Sequence, residues 1–212
     1  LETFGKPTGF YDRQIKTFTT ISKAQAEAKD VDTGEPVGEL PHFADMVRFF
    51  SNKATQPRDR GTLVHGDYKI DNMVFHKTEP RVIGILDWEM ATVGHPLSDF
   101  CNLTGPYIMD SAEHSKENFH PSFIPGLPTR ADCARWYSEE AGWDPTAEIP
   151  WGDAFFSFRG SVIMQGIAAR YALRQASSAR AAEYAKKTKP FALDAWARVK
   201  QIQELVQQRG KL

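Results

Sequence analysis

Apolar residues recur along this chain at two different periods. Between residues 10 and 28, Tyr11, Ile15, Phe18 and Ser22 fall on one stripe at helical spacing, which predicts a helix there. Phe43, Met46, Val47 and Phe50, at i, i+3, i+4 and i+7, predict a second helix over 41–52. Gly34, Pro36 and Gly38 mark the stretch between them, 29–40, as a loop. The pattern then changes. Thr62-Leu63-Val64 is short and apolar, 72–76 is strand-like, and 81–86 is β-branched and apolar. Lys77-Thr78-Glu79-Pro80 separates the last two as a turn, so a small hairpin is expected. After Gly94 and Pro96 the spacing is helical again, with helices predicted near 98–105, 130–141, 151–176 and 191–208. Trp196, Val199, Ile202 and Val206 share one face of the last, and Pro190 can start it. Residues 106–129 hold four prolines and read as a long loop. The expected class is α+β, mostly α, with one hairpin that must pack on helices because an isolated hairpin is barely stable in water.

Composition narrows the function classes. The 212 residues suffice for one domain or two small subdomains, and a formal net charge of -1 offers no global field for nucleic acid or an anionic membrane. No run of 18 apolar residues occurs, so no membrane partner is expected. Two cysteines, Cys101 and Cys133, make no disulfide framework and favour a reducing, intracellular compartment, the cytoplasm first. The final Gly210-Lys211-Leu212 is a weak version of a peroxisomal address, and a mitochondrial location stays open. The non-methionine start suggests a piece cut from a longer chain.

The chemistry concentrates in the middle. His65-Gly66-Asp67-Tyr68-Lys69-Ile70-Asp71-Asn72 is followed by Leu86-Asp87-Trp88-Glu89 and then by Gly94-His95-Pro96-Leu97-Ser98-Asp99. Any one of these carboxylates could be a solvated loop residue. Asp67, however, follows one short apolar strand and Asp87 ends another. Two acids converging at strand ends repel unless a cation joins them. Asp87 and the amide oxygen of Asn72 are oxygen ligands suited to Mg²⁺. Zinc is disfavoured, since His65, His76 and His95 lack helical pairing and cysteine partners.

The order His65, Asp67, Lys69, Asn72 is similar to the catalytic loop of protein kinases, with Gly66 in place of arginine. In this form it resembles the aminoglycoside phosphotransferase and choline kinase superfamily, and Asp87, Gly94 and Asp99 match that superfamily's second signature. The wording around 62–100 looks closest to the phosphotransferase domains associated with acyl-CoA dehydrogenases. The resemblance covers about 5–175. It implies that the whole chain, 1–212, is the C-terminal catalytic and substrate lobe of a kinase-like fold, with 62–100 as its catalytic and metal-binding core. Asp67 is then the base or orienting acceptor, and Lys69 sits near the transferred phosphate or merely at the surface. Asn72 and Asp87 hold Mg²⁺ on ATP, while His65 and Asp99 support the loop.

No glycine-rich phosphate loop and no strand-borne lysine precede Asp67. A nucleotide lobe is thus expected to be missing, as a partner the chain needs, and the chain alone is expected to be inactive. Its exposed lobe interface could drive self-association. For the small-molecule hydroxyl acceptor the foremost contacts are Arg159 and Tyr107, with Trp143, Trp151, Phe155 and Arg170 behind them. Arg159 needs a partner if buried, with Asp153 and Glu148 as protein alternatives. Arg159, Arg170, Arg174 and Arg180 favour an anionic acceptor, and the resembled branch points to hydroxyacyl compounds. Competing readings are a pseudokinase-like binding module and a two-metal phosphoesterase. The latter's Asp-x-His and Asn-His pairs do not occur.

Overall fold

The computed structural model describes residues 4–109 and 124–209, so the C-terminal tripeptide and much of the 106–129 loop lie outside the described residues. The element order is α1 (Phe10–Glu27), α2 (Phe43–Phe50), β1 (Thr62–Val64), β2 (Met73–Phe75), β3 (Val82–Ile85), β4 (Thr92–Gly94), α3 (Leu97–Leu103), α4 (Arg130–Ala141), α5 (Ile149–Ala172), α6 (Ala181–Lys186) and α7 (Thr188–Arg209). Single 3₁₀ turns occupy Ile70–Asn72, Trp88–Met90 and Gly105–Tyr107. The chain is mostly helical and folds as two compact units. One comprises residues up to Phe10 and Asp59–Gly152; the other comprises Tyr11–Arg58 and Asp153 onward.

The second unit is helical. Tyr11, Ile15, Phe18 and Ser22 are all buried, as the stripe on α1 predicts. Phe155 of α5 meets Tyr11 edge-on at 5.0 Å and Phe50 at 5.2 Å, and Phe158 lies 5.1 Å from Phe50. Each fully buried ring contributes about 1.5–3 kcal/mol. Two core polar groups are satisfied: Ser22 Oγ donates to Gln165 Oε1 at 2.7 Å, and Gln165 Nε2 donates to the Gly38 carbonyl at 2.9 Å. The second bond ties the 29–40 loop to α5. On α7 the buried line is Ala192, Ala195 and Val199, while Trp196 is half-buried and Val206 exposed. The predicted stripe is therefore displaced, because small residues allow close approach and the last turns extend past their packing.

The first unit carries the β structure in two antiparallel pairs. In β1–β4, Thr62 faces Gly94 and Val64 faces Thr92; in β2–β3, Met73 faces Ile85 and Val74 faces Gly84. The hairpin matches its prediction. The strand β4 is not foreseen by the pattern, since Thr92-Val93-Gly94 is too short to show a period. Its Gly94 is held to glycine by packing, for a Cβ would stand 2.5 Å from the Phe10 ring. The helix α3, which bears Asp99, starts just beyond it.

Candidate active site

The site grows from the loop between β1 and β2. Val64 is fully buried, and the backbone turns sharply after His65 because Gly66 takes a φ of 87°. Asp99, in the first turn of α3, accepts the His65 N–H at 2.6 Å and the Gly66 N–H at 3.0 Å. A carboxylate receiving two amides is a strong, directional clamp. The buried His65 ring adds a second tie. Its Nδ1 accepts the Asp67 N–H at 3.2 Å, and its Nε2 lies 2.8 Å from the Leu86 carbonyl, which can only accept. The network thus assigns the ring proton to Nε2 and joins the Asp67 loop to the end of β3.

Asp67 is held from three sides. Lys69 Nζ lies 2.9 Å from Oδ2, Asn72 Nδ2 donates to Oδ2 at 3.1 Å, and Asn102 Nδ2 donates to Oδ1 at 3.5 Å. Burial pushes the Asp67 carboxyl up, but Lys69 and then the two asparagines outweigh it and hold it below the usual carboxylate range. It is therefore an anion at neutral pH, yet its side chain keeps 23% exposure and can meet a solute. Lys69 keeps 44% exposure, but its ammonium is paired with Asp67.

Asn72 is buried, and its Nδ2 also donates to the Asp67 carbonyl at 2.8 Å. Both amide hydrogens are thus directed to Asp67, which leaves Oδ1 as the available acceptor. The Leu86 N–H donates to the Asn72 carbonyl at 2.9 Å, so Asn72 and Asp87 come to the same end of the hairpin. Asp87 is exposed and sits in the left-handed region, φ 67°, ψ 51°. A non-glycine residue there costs on the order of 1–3 kcal/mol and tends to mark functional positions. Among the described residues no group of three or more His, Cys, Asp or Glu side chains converges to hold a metal. A carboxylate and an amide oxygen suit a Mg²⁺ whose other ligands are phosphate and water.

The remaining candidates have surroundings of their own. The Tyr107 hydroxyl donates to the Pro128 carbonyl at 2.9 Å and is pushed up to about 12 by burial and then by Cys133, so it is engaged in local structure. Arg159 is half-buried on α5 and belongs to the helical unit, not to the unit of Asp67. Glu148, expected as a possible partner for it, instead lies 3.5 Å from the buried His95. Trp151 and Phe155 are buried. Arg174 is paired with Asp30 and Asp32, and Arg180 with Glu183, which removes half of the basic excess expected on the late helices. Sequence reasoning does not reach Asn102 or Trp88. Asn102 lies three residues beyond Asp99, one turn along the same face of α3, and that spacing is the available signal. The Trp88 ring stands 4.6 Å from His65 and its Nε1 donates to the Ile85 carbonyl at 2.9 Å.

The profile of the phosphotransferase enzyme family, APH, matches residues 1–147, which include every group around Asp67. Acyl-CoA dehydrogenase family member 11 of Gallus gallus is 31% identical over 202 residues, covering 91% of this chain and 24% of its own length. Acyl-CoA dehydrogenase family member 10 of Mus musculus is 31% identical over 198 residues, covering 92% of this chain and 18% of its own. The chain thus spans a quarter or less of these curated relatives. A solved protein of Ralstonia eutropha, provisionally described as an aminoglycoside phosphotransferase, superposes with a TM-score of 0.77 at 30% identity, over 94% of this chain and 58% of that one. Profile, relatives and kinase-like fold agree, and the chain belongs to the phosphotransferase enzyme family.

Proposed function

We propose that this chain is the catalytic, substrate-side lobe of an ATP- and Mg²⁺-dependent phosphotransferase acting on a hydroxyl of a small molecule. The observation that carries this reading is the ionised, partly exposed Asp67 beside an Asn72 whose two amide hydrogens point to Asp67. Asn72 Oδ1 and the exposed Asp87 carboxylate would hold Mg²⁺. Bound Mg²⁺–ATP supplies the phosphoryl group and neutralises its charge.

Asp67 would accept a hydrogen bond from the acceptor hydroxyl, orient its oxygen, and take its proton as that oxygen receives the phosphoryl group, whose bond to the departing ADP breaks. A carboxyl held below the usual carboxylate range is a weak base, so its role includes orientation of the hydroxyl. Lys69 fixes the carboxylate and brings positive charge to where phosphate charge develops. His65 and Asp99 hold the loop that bears these groups. The acceptor class that fits the family branch is a hydroxyacyl compound. A nucleotide lobe is the partner required for turnover, so the 212-residue chain alone should turn over little.

The test is Mg²⁺-dependent ATP consumption by an N-terminally extended chain over a panel of hydroxylated metabolites. Asp67→Asn should lower turnover by roughly 10²–10⁴-fold while leaving Mg²⁺–ATP affinity close to wild type. An Asp67→Asn protein as active as the parent would remove Asp67 from the chemistry. Failure of the extended chain to bind Mg²⁺–ATP at all would favour a binding module without turnover.

A further inference from the structure

We infer that the first unit carries a second small-molecule site, behind the catalytic loop, built for an aromatic monocarboxylate. A cavity of about 520 Å³ lies there, within the size range of ordinary ligand pockets. Asp67, Lys69, Asn72 and Asp87 do not line it. Its walls come instead from the rings of Tyr68, Trp88, Phe100, Tyr137 and Trp143, with aliphatic surface from Leu63 and Leu103.

Arg130 reaches the Phe100 ring at 6.0 Å but is not among the lining residues; of those that line the cavity, Arg60 is the one arginine or lysine. Its guanidinium stands 4.6 Å over the Trp143 ring and has no described carboxylate within 4 Å. An arginine stacked on an aromatic face is already oriented, and its planar edge offers two parallel donors to a carboxylate. Glu148, whose carboxyl Arg60 pulls down against the effect of burial, is turned to His95 at 3.5 Å. Asp99 also lines the cavity, but its two oxygens receive the His65 and Gly66 amides. The aromatic walls therefore select a ring, and Arg60 selects its negative charge.

The position of the cavity gives the site a consequence. His65, Trp88 and Asp99 line it, and these residues hold the Asp67 loop in place. A ligand seated there presses on the supports of the loop without touching the groups that face the transferred phosphate. Its occupancy and the loop geometry are linked, and the linkage is reciprocal.

Binding of 3-phenylpropionate to the 212-residue chain, followed by calorimetry and by tryptophan emission, tests this without any turnover. Trp88 and Trp143 sit in the wall, so a saturable change in emission should accompany binding. The amide analogue, 3-phenylpropanamide, should bind about tenfold or more weakly, because it lacks the charge-assisted pair. Arg60→Gln should abolish that preference, and Arg60→Lys should restore part of it. Ala141 is exposed on the cavity rim, so Ala141→Trp should block binding without disturbing the core. Asp67→Asn should still bind the probe and keep the preference for acid over amide. The inference is overturned by an absence of saturable binding, by equal affinities for acid and amide, or by binding that Arg60→Gln leaves unchanged while Asp67→Asn abolishes it, which would put the probe at the catalytic loop.

Discussion

A methyl group on Gly66 would stand 2.6 Å from the Met90 carbonyl oxygen, on a backbone already at φ 87°. Backbone is the obstacle, so no side-chain rotation relieves it. The loop therefore requires glycine at this position. Gly66→Ala should lower stability by about 1–3 kcal/mol, read from urea unfolding, with Asp67 displaced. Glu148 gives a pH-dependent counterpart. Burial pushes its carboxyl up, with Arg60 pulling part of the way back. A carboxyl raised in the folded state adds stability that is fully present below its unfolded value and lost as pH rises through the folded value. Unfolding midpoints of wild type, measured upward from below the 4.5 of an ordinary glutamate, should therefore fall relative to those of Glu148→Gln.

At the scale of elements, α4 illustrates what a local signal can set. Thr129 Oγ1 accepts the Asp132 N–H at 3.1 Å, and Asp132 Oδ2 accepts the Thr129 N–H at 3.1 Å, a reciprocal cap on a helix whose predicted span, 130–141, is the observed one. Thr129→Ala should cost about 1 kcal/mol and speed amide exchange in the first turn. Elements with caps, prolines or a clear stripe are legible in this way: α1, α2, α3, α4 and the hairpin lie within a few residues of expectation. What is not legible depends on distant partners. The strand β4 exists through its pairing with β1, and α6 is too short for a period. The site divides along the same line. Asp67, Asn72 and Asp87 are readable because a contiguous motif bears them. Asn102, which reaches Asp67 from α3, depends on where the helix sits. Arg159 and Tyr107 stand out by residue type alone, and the Tyr107 hydroxyl is tied to the Pro128 carbonyl.

For the molecule as a whole, the chain spans a quarter or less of its curated relatives, and one stretch of the first unit shows much apolar surface. Phe75, Ile83, Leu86, Trp88 and Met90 are each roughly half exposed. Large exposed apolar groups tend to mark interaction surfaces. The sedimentation mass of the 212-residue chain should therefore rise with concentration, and Phe75→Lys with Ile83→Lys should hold it monomeric. Mass independent of concentration in the parent would remove self-association from the account. Among the described residues no helix is long and apolar enough to cross a membrane. The tie from the His65 ring to the Leu86 carbonyl, 21 residues along the chain, has a consequence for engineering. It makes the intervening segment a closed excursion, pinned where it leaves and where it returns. The entropic cost of lengthening such an excursion grows only slowly with length. The exposed tip at 77–80 is thus a place where a peptide tag or a fluorophore could be grafted while the reacting groups stay in register.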